Sequence, residues 1–210
     1  IENEECRIDS IAQSWSVISG AGDNDKKFIS MESLENHLVD KENGIIKLLD
    51  PPFENGKLEP GYIKSYLPGV RENGGQYTHG SIWAIIAETL LGFGDKAPEL
   101  YRMINPIEQS KTKDASNKYK VEPYVITADI YGVGNLAGRG GWTWYTGSSS
   151  WFYKAGIEYI LGIKIQSNVL RIEPCIPKNW REFCVRYKYK NSIYNIKVLN
   201  KDAKNSGVRS

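Results

Sequence analysis

The chain has 210 residues, 27 Lys and Arg against 25 Asp and Glu, and a net charge of +2, a balance that argues against a polybasic nucleic-acid or membrane-surface footprint. Forty per cent hydrophobic and 25% charged residues fall near the globular norm and exclude a disordered chain. Three scattered cysteines (Cys6, Cys175, Cys184), two histidines (His37, His79) and no C-x-x-C argue against a disulfide framework and a metal site.

No apolar run reaches the roughly 20 residues of a membrane helix, and no signal peptide is visible. A cytoplasmic, reducing compartment is the default expectation. The chain opens at Ile1 without Met, inside a polar stretch, and so reads as a piece of something longer.

In chain order, residues 8–19 read as a helix, with Ile8, Ile11, Ala12, Trp15 and Ile18 on one stripe and Gly20 as the stop. Residues 31–42 read as a second helix, with Ser30 as its N-cap and Leu34, His37 and Leu38 on one face. Asn43 to Gly75 is dense in Gly and Pro and predicts no helix of useful length. A stretch of that kind within a compact domain is usually functional when ordered.

Residues 80–91 are apolar on nearly every face and predict a helix surrounded by protein. Asp95 is placed to cap an amphipathic helix over 96–104, with Leu100, Met103 and Ile104 inward and Asn105-Pro106 as the stop. The pair suggests two layers of helices. After a Gly- and Trp-rich stretch at 132–147, residues 148–161 return to helix and Gly162 ends it. The period then shifts to two over 169–172, 183–189 and 193–199, with Asn191-Ser192 as a tight turn. These few strands predict partners beyond Ser210, since a lone hairpin is marginal. The expectation is a mainly helical chain with antiparallel strands in its last quarter.

Two segments stand where helices expose unpaired N–H groups. YTHGS (77–81) leads into the buried helix, and YTGSSS (145–150) leads into the helix at 148–161. Helix openings attract anions through free donors and the helix dipole. Plain N-capping by Ser and Thr is the ordinary explanation of either segment alone, and it is the pair of such openings, one carrying the imidazole of His79, that raises the anion reading. The glycines at 138–141 lack the Lys-Ser/Thr ending of a phosphate-binding loop and follow no strand, which excludes a nucleotide reading. Arg71 and Glu72 are flanked by glycines that allow close backbone approach, and together they could grip paired sugar hydroxyls. Glu122, Asp129 and Arg139 are further polar candidates. The 11% aromatic content, weighted to Trp and Tyr, suits either a large core with hydroxyls at its edge or a sugar-facing surface.

The segments ECRIDSIAQSW (5–15), LLDPPF (48–53), GVRENGGQYTHGSIW (69–83), YRMINP (101–106), YKVEPYVITADIY (119–131), GRGGWTWYTGS (138–148) and LRIEPCIP (170–177) resemble glycoside hydrolase family 94. This family, formerly glycosyltransferase family 36, comprises cellobiose, chitobiose and oligoglucan phosphorylases. The wording most closely resembles the phosphorylase-like C-terminal region of cyclic β-1,2-glucan synthases and the β-1,2-oligoglucan phosphorylases.

The resemblance implies the latter part of an (α/α)6 barrel over 1–162 and the start of a β-sandwich subdomain over 163–210. It implies an enzyme that cleaves β-glucosidic bonds with inverting phosphorolysis, with inorganic phosphate as co-substrate, no other cofactor and no metal. By the same resemblance His79, Thr146 and Gly147 bind phosphate, and Arg71 and Glu72 hold the donor glucose. Cellobiose phosphorylases carry Lys where Arg71 stands. Trp142, Trp144 and Tyr145 are expected to shape the pocket, with core packing as the alternative.

The general acid of the family is an Asp in a segment expected upstream of Ile1, so the isolated chain is expected to be inactive. Expected partners are a β-glucan oligosaccharide, phosphate, the rest of a parent polypeptide and a second copy in a homodimer, with no nucleic acid. The cytoplasmic side of a membrane-bound glucan synthase is the alternative location. An inverting hydrolase on the same barrel and a non-catalytic saccharide-binding segment remain competing functions.

Overall fold

The computed structural model describes residues 3–57 and 59–208. Strands beyond Ser210 and an acid ahead of Ile1 lie outside the described residues. A two-residue strand β1 (Ile8–Asp9) leads into α1 (Ser10–Ile18), whose N-cap Asp9 accepts from the Ile11 and Ala12 amides. The apolar stripe is only partly buried, with Ile8 and Ile18 packed against the core. Ser10, Ser14 and Val17 are the buried face, and Trp15 is 39% exposed. The reason is proximity. A Cβ on Gly80 would stand 3.0 Å from Ser10 Oγ, so α1 approaches its neighbour through its smallest residues.

The second helix, α2 (Asn24–Leu38), starts and ends earlier than read, so Ser30 is interior and Asp23 holds the N-cap position. Met31, Leu34 and Leu38 are fully buried, whereas His37 is exposed. The chain leaves the helix as β2 (Val39–Asp40), which pairs with β3 (Ile45–Ile46), and β4 (Leu49–Asp50) pairs back to β1. As the Gly and Pro density predicts, among the described residues only a 3-10 turn at Gly61–Ser65 interrupts the loop before β5 (Gln76–Tyr77).

The long buried helix is α3 (Thr78–Leu90), and α1, α2, α4 and α7 pack around it. Its Ile82, Ile85 and Ile86 join Met31, Leu34, Leu38 and Leu100 in the main core. Next comes α4 (Lys96–Met103). Asp95 does not cap it; its carboxylate accepts from the Lys178 amide at 3.0 Å and so ties the helices to the C-terminal segment. Asn105 caps the short α5 (Pro106–Gln109), and Thr112 caps α6 (Lys113–Tyr119), a helix the sequence reading missed. Strand β6 (Asp129–Ile130) then pairs antiparallel with β5, placing Tyr77 opposite Asp129.

The last helix, α7 (Thr146–Lys154), begins two residues before the expected start and widens into a π-helical segment at Ala155–Ile160. Two hairpins follow: β7 (Ile163–Gln166) with β8 (Val169–Ile172), and β9 (Glu182–Tyr189) with β10 (Ser192–Leu199). The turn of the second hairpin is Lys190-Asn191, one residue earlier than predicted, because Ser192 pairs with Tyr189. Among the described residues each hairpin is its own two-stranded sheet. The mainly helical class with antiparallel strands at the C-terminal end is thus as expected.

Candidate functional site

The openings of α3 and α7 meet. Both helices have tyrosine at the N-cap, Tyr77 and Tyr145, and neither makes a side-chain capping bond. The hydroxyls near these openings donate instead to carbonyls: Ser81 Oγ to Ile46 and Tyr77, Ser148 Oγ to Tyr145, and Ser150 Oγ to Thr146. Plain Ser/Thr capping therefore does not account for these segments; the Thr78 amide donates to Ala128 O at 2.9 Å, and the other first-turn amides keep their pull on anions.

His79 stands between the two openings. Its ring stacks on Tyr77 at 5.4 Å, meets Tyr145 edge-on at 5.3 Å and tilts against Trp83 at 5.9 Å. A Cβ on Gly147 would lie 3.0 Å from His79 Nε2, so the missing side chain is what lets the imidazole reach the α7 opening. Nδ1 is buried without a partner. Burial lowers the imidazole pKa below its ordinary 6.5 and favours the neutral form. Thr146 and Gly147 are both exposed at this opening.

Beside them, Arg71, Glu72, Tyr77, Asp129, Trp142 and Tyr145 line a cavity of about 220 Å3. His79, Thr146 and Gly147 are not in its lining; the rings of Tyr77 and Tyr145, which line it, touch His79. The Tyr145 hydroxyl lies close enough to Tyr77 to affect its titration. Burial first, and the neighbouring Tyr145 hydroxyl second, push the Tyr77 phenol up to about 12. Larger hollows beside α4 and at β10 contain none of these residues.

The loop that presents Arg71 and Glu72 is fixed from below. Asn73 is fully buried; its side chain accepts from the Phe53 amide at 2.7 Å and donates to the carbonyls of Phe53 and Tyr66, both at 2.8 Å. Gly69 N donates to Asn73 O at 2.7 Å, and Gly132 N donates to Gly69 O at 2.8 Å. Arg71 is held at φ 49°, left-handed backbone that costs a non-glycine residue energy. Its guanidinium lies over the rings of Tyr66 at 5.4 Å and Trp142 at 5.6 Å.

The aromatic expectations divide. Trp142 and Tyr145 reach the cavity. Trp144 does not line it; 64% exposed, it donates through Nε1 to Glu122 at 3.1 Å. Arg139 is exposed and away from the lining. Tyr66 and Tyr77 are the residues that sequence reasoning left out. Tyr77 could have been found as the residue immediately ahead of the His79 helix; nothing in the pattern marks Tyr66. Among the described residues no group of three or more His, Cys, Asp or Glu could hold a metal ion, and no helix is long and apolar enough to cross a membrane.

The family model described as the glycosyl hydrolase 94 superfamily, catalytic domain, matches residues 1–162, and that of the glycosyl hydrolase family 65, C-terminal domain, matches 163–205. The chain is 48% identical over 203 residues to "Cyclic beta-(1,2)-glucan synthase NdvB" of Rhizobium meliloti (strain 1021), covering 97% of this chain and 7% of that protein. It is 32% identical over 210 residues to the "N,N'-diacetylchitobiose phosphorylase" of Vibrio proteolyticus, covering 100% of this chain and 26% of the relative. The figure is 30% over 199 residues for the "Solabiose phosphorylase" of Paenibacillus borealis, at 94% and 25% coverage. The chain thus spans about a quarter or less of the length of the relatives it matches. With a catalytic-domain match running through both helix openings and the cavity loops, the chain belongs to the glycosyl hydrolase 94 superfamily.

Proposed function

We propose that the chain is the latter part of an inverting glycoside phosphorylase or glucan-processing transferase acting on β-glucosidic, preferentially β-1,2, bonds. In this reading residues 1–162 complete an (α/α)6 barrel, residues 163–210 begin a β-subdomain, and the general acid lies on chain ahead of Ile1. The glucan, phosphate and that upstream chain are the partners. The 48% identity to a relative named for β-1,2-glucan synthesis supports the linkage.

The observation that carries the reading is the meeting of two helix openings at His79 and Gly147, beside a cavity that holds a guanidinium and carboxylates. Phosphorolysis needs an anion held opposite the leaving group. Phosphate arrives already nucleophilic, so the protein must place it and offset its charge rather than deprotonate it. The remaining first-turn amides of α3 and α7, with the Thr146 hydroxyl and the His79 imidazole, supply donors for the phosphate oxygens. Neutral His79 donates from one nitrogen only; binding of a dianion favours its protonation and adds a charge-assisted bond. Arg71 donates to ring hydroxyls and Glu72 accepts from them, which fixes the donor glucose. Trp142 and Tyr145 offer apolar faces to its C–H side.

His79→Ala in the complete enzyme should raise the phosphate KM about 10- to 100-fold, as expected for one lost charge-assisted contact. An unchanged KM would remove His79 from the site. Turnover without phosphate would favour the hydrolase. The 210-residue chain alone should release no glucose 1-phosphate from a β-1,2-glucan, and detectable release would overturn the placement of the acid upstream.

A further inference from the structure

The cavity holds a second carboxylate that the reading above does not use. Asp129 lies on β6 opposite Tyr77, is only 3% exposed, and lines the same cavity as Arg71 and Glu72. Its Oδ1 accepts from the Trp142 amide at 3.0 Å and so fixes the turn that carries Trp142 over Arg71. Its Oδ2 is buried with no hydrogen-bond partner.

One oxygen is enough to hold the turn. A carboxylate left with an unsatisfied acceptor is a poor structural choice, because buried polar atoms are normally paired. Burial raises the Asp129 pKa, while the Trp142 amide and the Arg71 charge oppose that rise. The neighbouring chain also makes room for this group. A Cβ on Gly141 would overlap the Asp129 carboxylate, so glycine is required there for the carboxylate to stand where it does. With Arg71 as the one cation against Glu72 and Asp129, the cavity is rich in acceptors. It suits a neutral ligand that brings hydroxyl donors and disfavours a bare anion.

We propose that Asp129 is a sugar-binding residue of this cavity, its Oδ2 accepting a hydroxyl of the pyranose held by Arg71 and Glu72, with Gly141 keeping the space. The proposal rests on the saccharide reading of the cavity and extends it: sugar goes to the acceptor-rich cavity, and phosphate goes to the donor-rich helix openings at Tyr77 and Tyr145.

The test is titration of the complete enzyme, without phosphate, with the β-1,2-linked glucose disaccharide, followed by Trp fluorescence and calorimetry, for wild type and Asp129→Asn. The amide is isosteric and can still accept from the Trp142 amide through its remaining oxygen, but it presents a donor in place of Oδ2. An affinity about 10- to 100-fold lower with an unchanged melting transition is expected for the loss of a hydrogen bond to a charged acceptor. Monodeoxyglucoses refine the measurement: one deoxy position should weaken binding to wild type and leave the variant indifferent, a coupling that a purely structural role would not produce.

Equal affinity of variant and wild type overturns the proposal. Absence of saturable binding to wild type sinks the saccharide reading itself. Should Asp129→Asn fail to fold, Gly141→Ala, which displaces the carboxylate, carries the test: the same loss is expected, and full retention of affinity overturns the assignment.

Discussion

The two ends of α3 each carry an ionisable side chain withdrawn from water: His79 in the first turn and Glu88 near the last. Burial pushes both toward the neutral form, lowering the imidazole pKa and raising the carboxyl from 4.5 to about 7. Both have buried atoms without partners, His79 at Nδ1 and Glu88 at both carboxylate oxygens. Their surroundings differ. His79 faces a glycine at a second helix opening, next to a cavity. Glu88 is fully buried, with Lys96 Nζ 3.8 Å away and the Cys175 thiol, itself pushed up to about 11 by burial, close enough to feel its charge. A perturbed titration marks desolvation at either end; only the end with access to a ligand qualifies as a site.

The largest expected effect tests the sealed end. Glu88 ionises near 4.5 in the unfolded chain and near 7 in the fold. Between those values unfolding releases a proton, so stability falls as pH rises, and the loss is complete above pH 7. A rise of that size corresponds to about 3 kcal/mol. Glu88→Gln removes the titration. The variant should match wild type near pH 4.5 and exceed it by a few kcal/mol, about 3 at most, at pH 8, read from denaturant unfolding at the two pH values. If wild type and variant show the same pH dependence, the sealed end is not sealed and the contrast between the ends fails.

A smaller effect tests the open end. Gly147→Ala places a methyl 3.0 Å from His79 Nε2, tighter than ordinary contact, so the imidazole must yield. Gly147 lies at the first turn of α7, where alanine is a better helix former than glycine, so stability should hold or rise slightly. Phosphate affinity, followed by Trp fluorescence, should nevertheless drop about tenfold, one hydrogen bond's worth. Affinity unchanged in a stable variant would mean that the two openings do not share an anion.

The contrast also explains what was legible in the sequence. Periodicity located α3, α4, α7 and the last hairpin, although only α3 and α4 bury much of an apolar face; α7 buries Ser148 alone, and no residue of β9 or β10 is buried. It misjudged α1, whose buried positions Ser10 and Ser14 are chosen for size rather than for hydrophobicity. It missed α6, where the polar run KDASNKY buries only Tyr119. The polar openings of α3 and α7 were visible as short local signals. The cavity beside them was not, because Tyr77 meets Asp129 through a strand pair formed across a long sequence separation, and no local pattern reports such a pairing. Asn73, which holds the Arg71 loop, is likewise an isolated polar residue whose partners Phe53 and Tyr66 lie elsewhere in the chain.

The smallest expected effect concerns the wall between the cavity and the helix openings. Tyr77 and Tyr145 close that wall: the Tyr145 hydroxyl helps raise the Tyr77 phenol, as a hydrogen bond between the two would, and both rings touch His79. Tyr145→Phe keeps the ring and deletes the hydroxyl. Its cost should be about 1 kcal/mol or less, the net worth of one neutral hydrogen bond with partial solvent access. The Tyr77 phenol should then titrate below about 12, because one of the groups raising its pKa is gone, though burial keeps it above its ordinary 10. Ultraviolet difference titration reads this shift directly. If the phenol does not move, the two hydroxyls do not share a proton and the wall is held by ring packing alone. A downward shift accompanied by weaker binding of both sugar and phosphate would mark the tyrosine pair as the element that couples the cavity to the two helix openings.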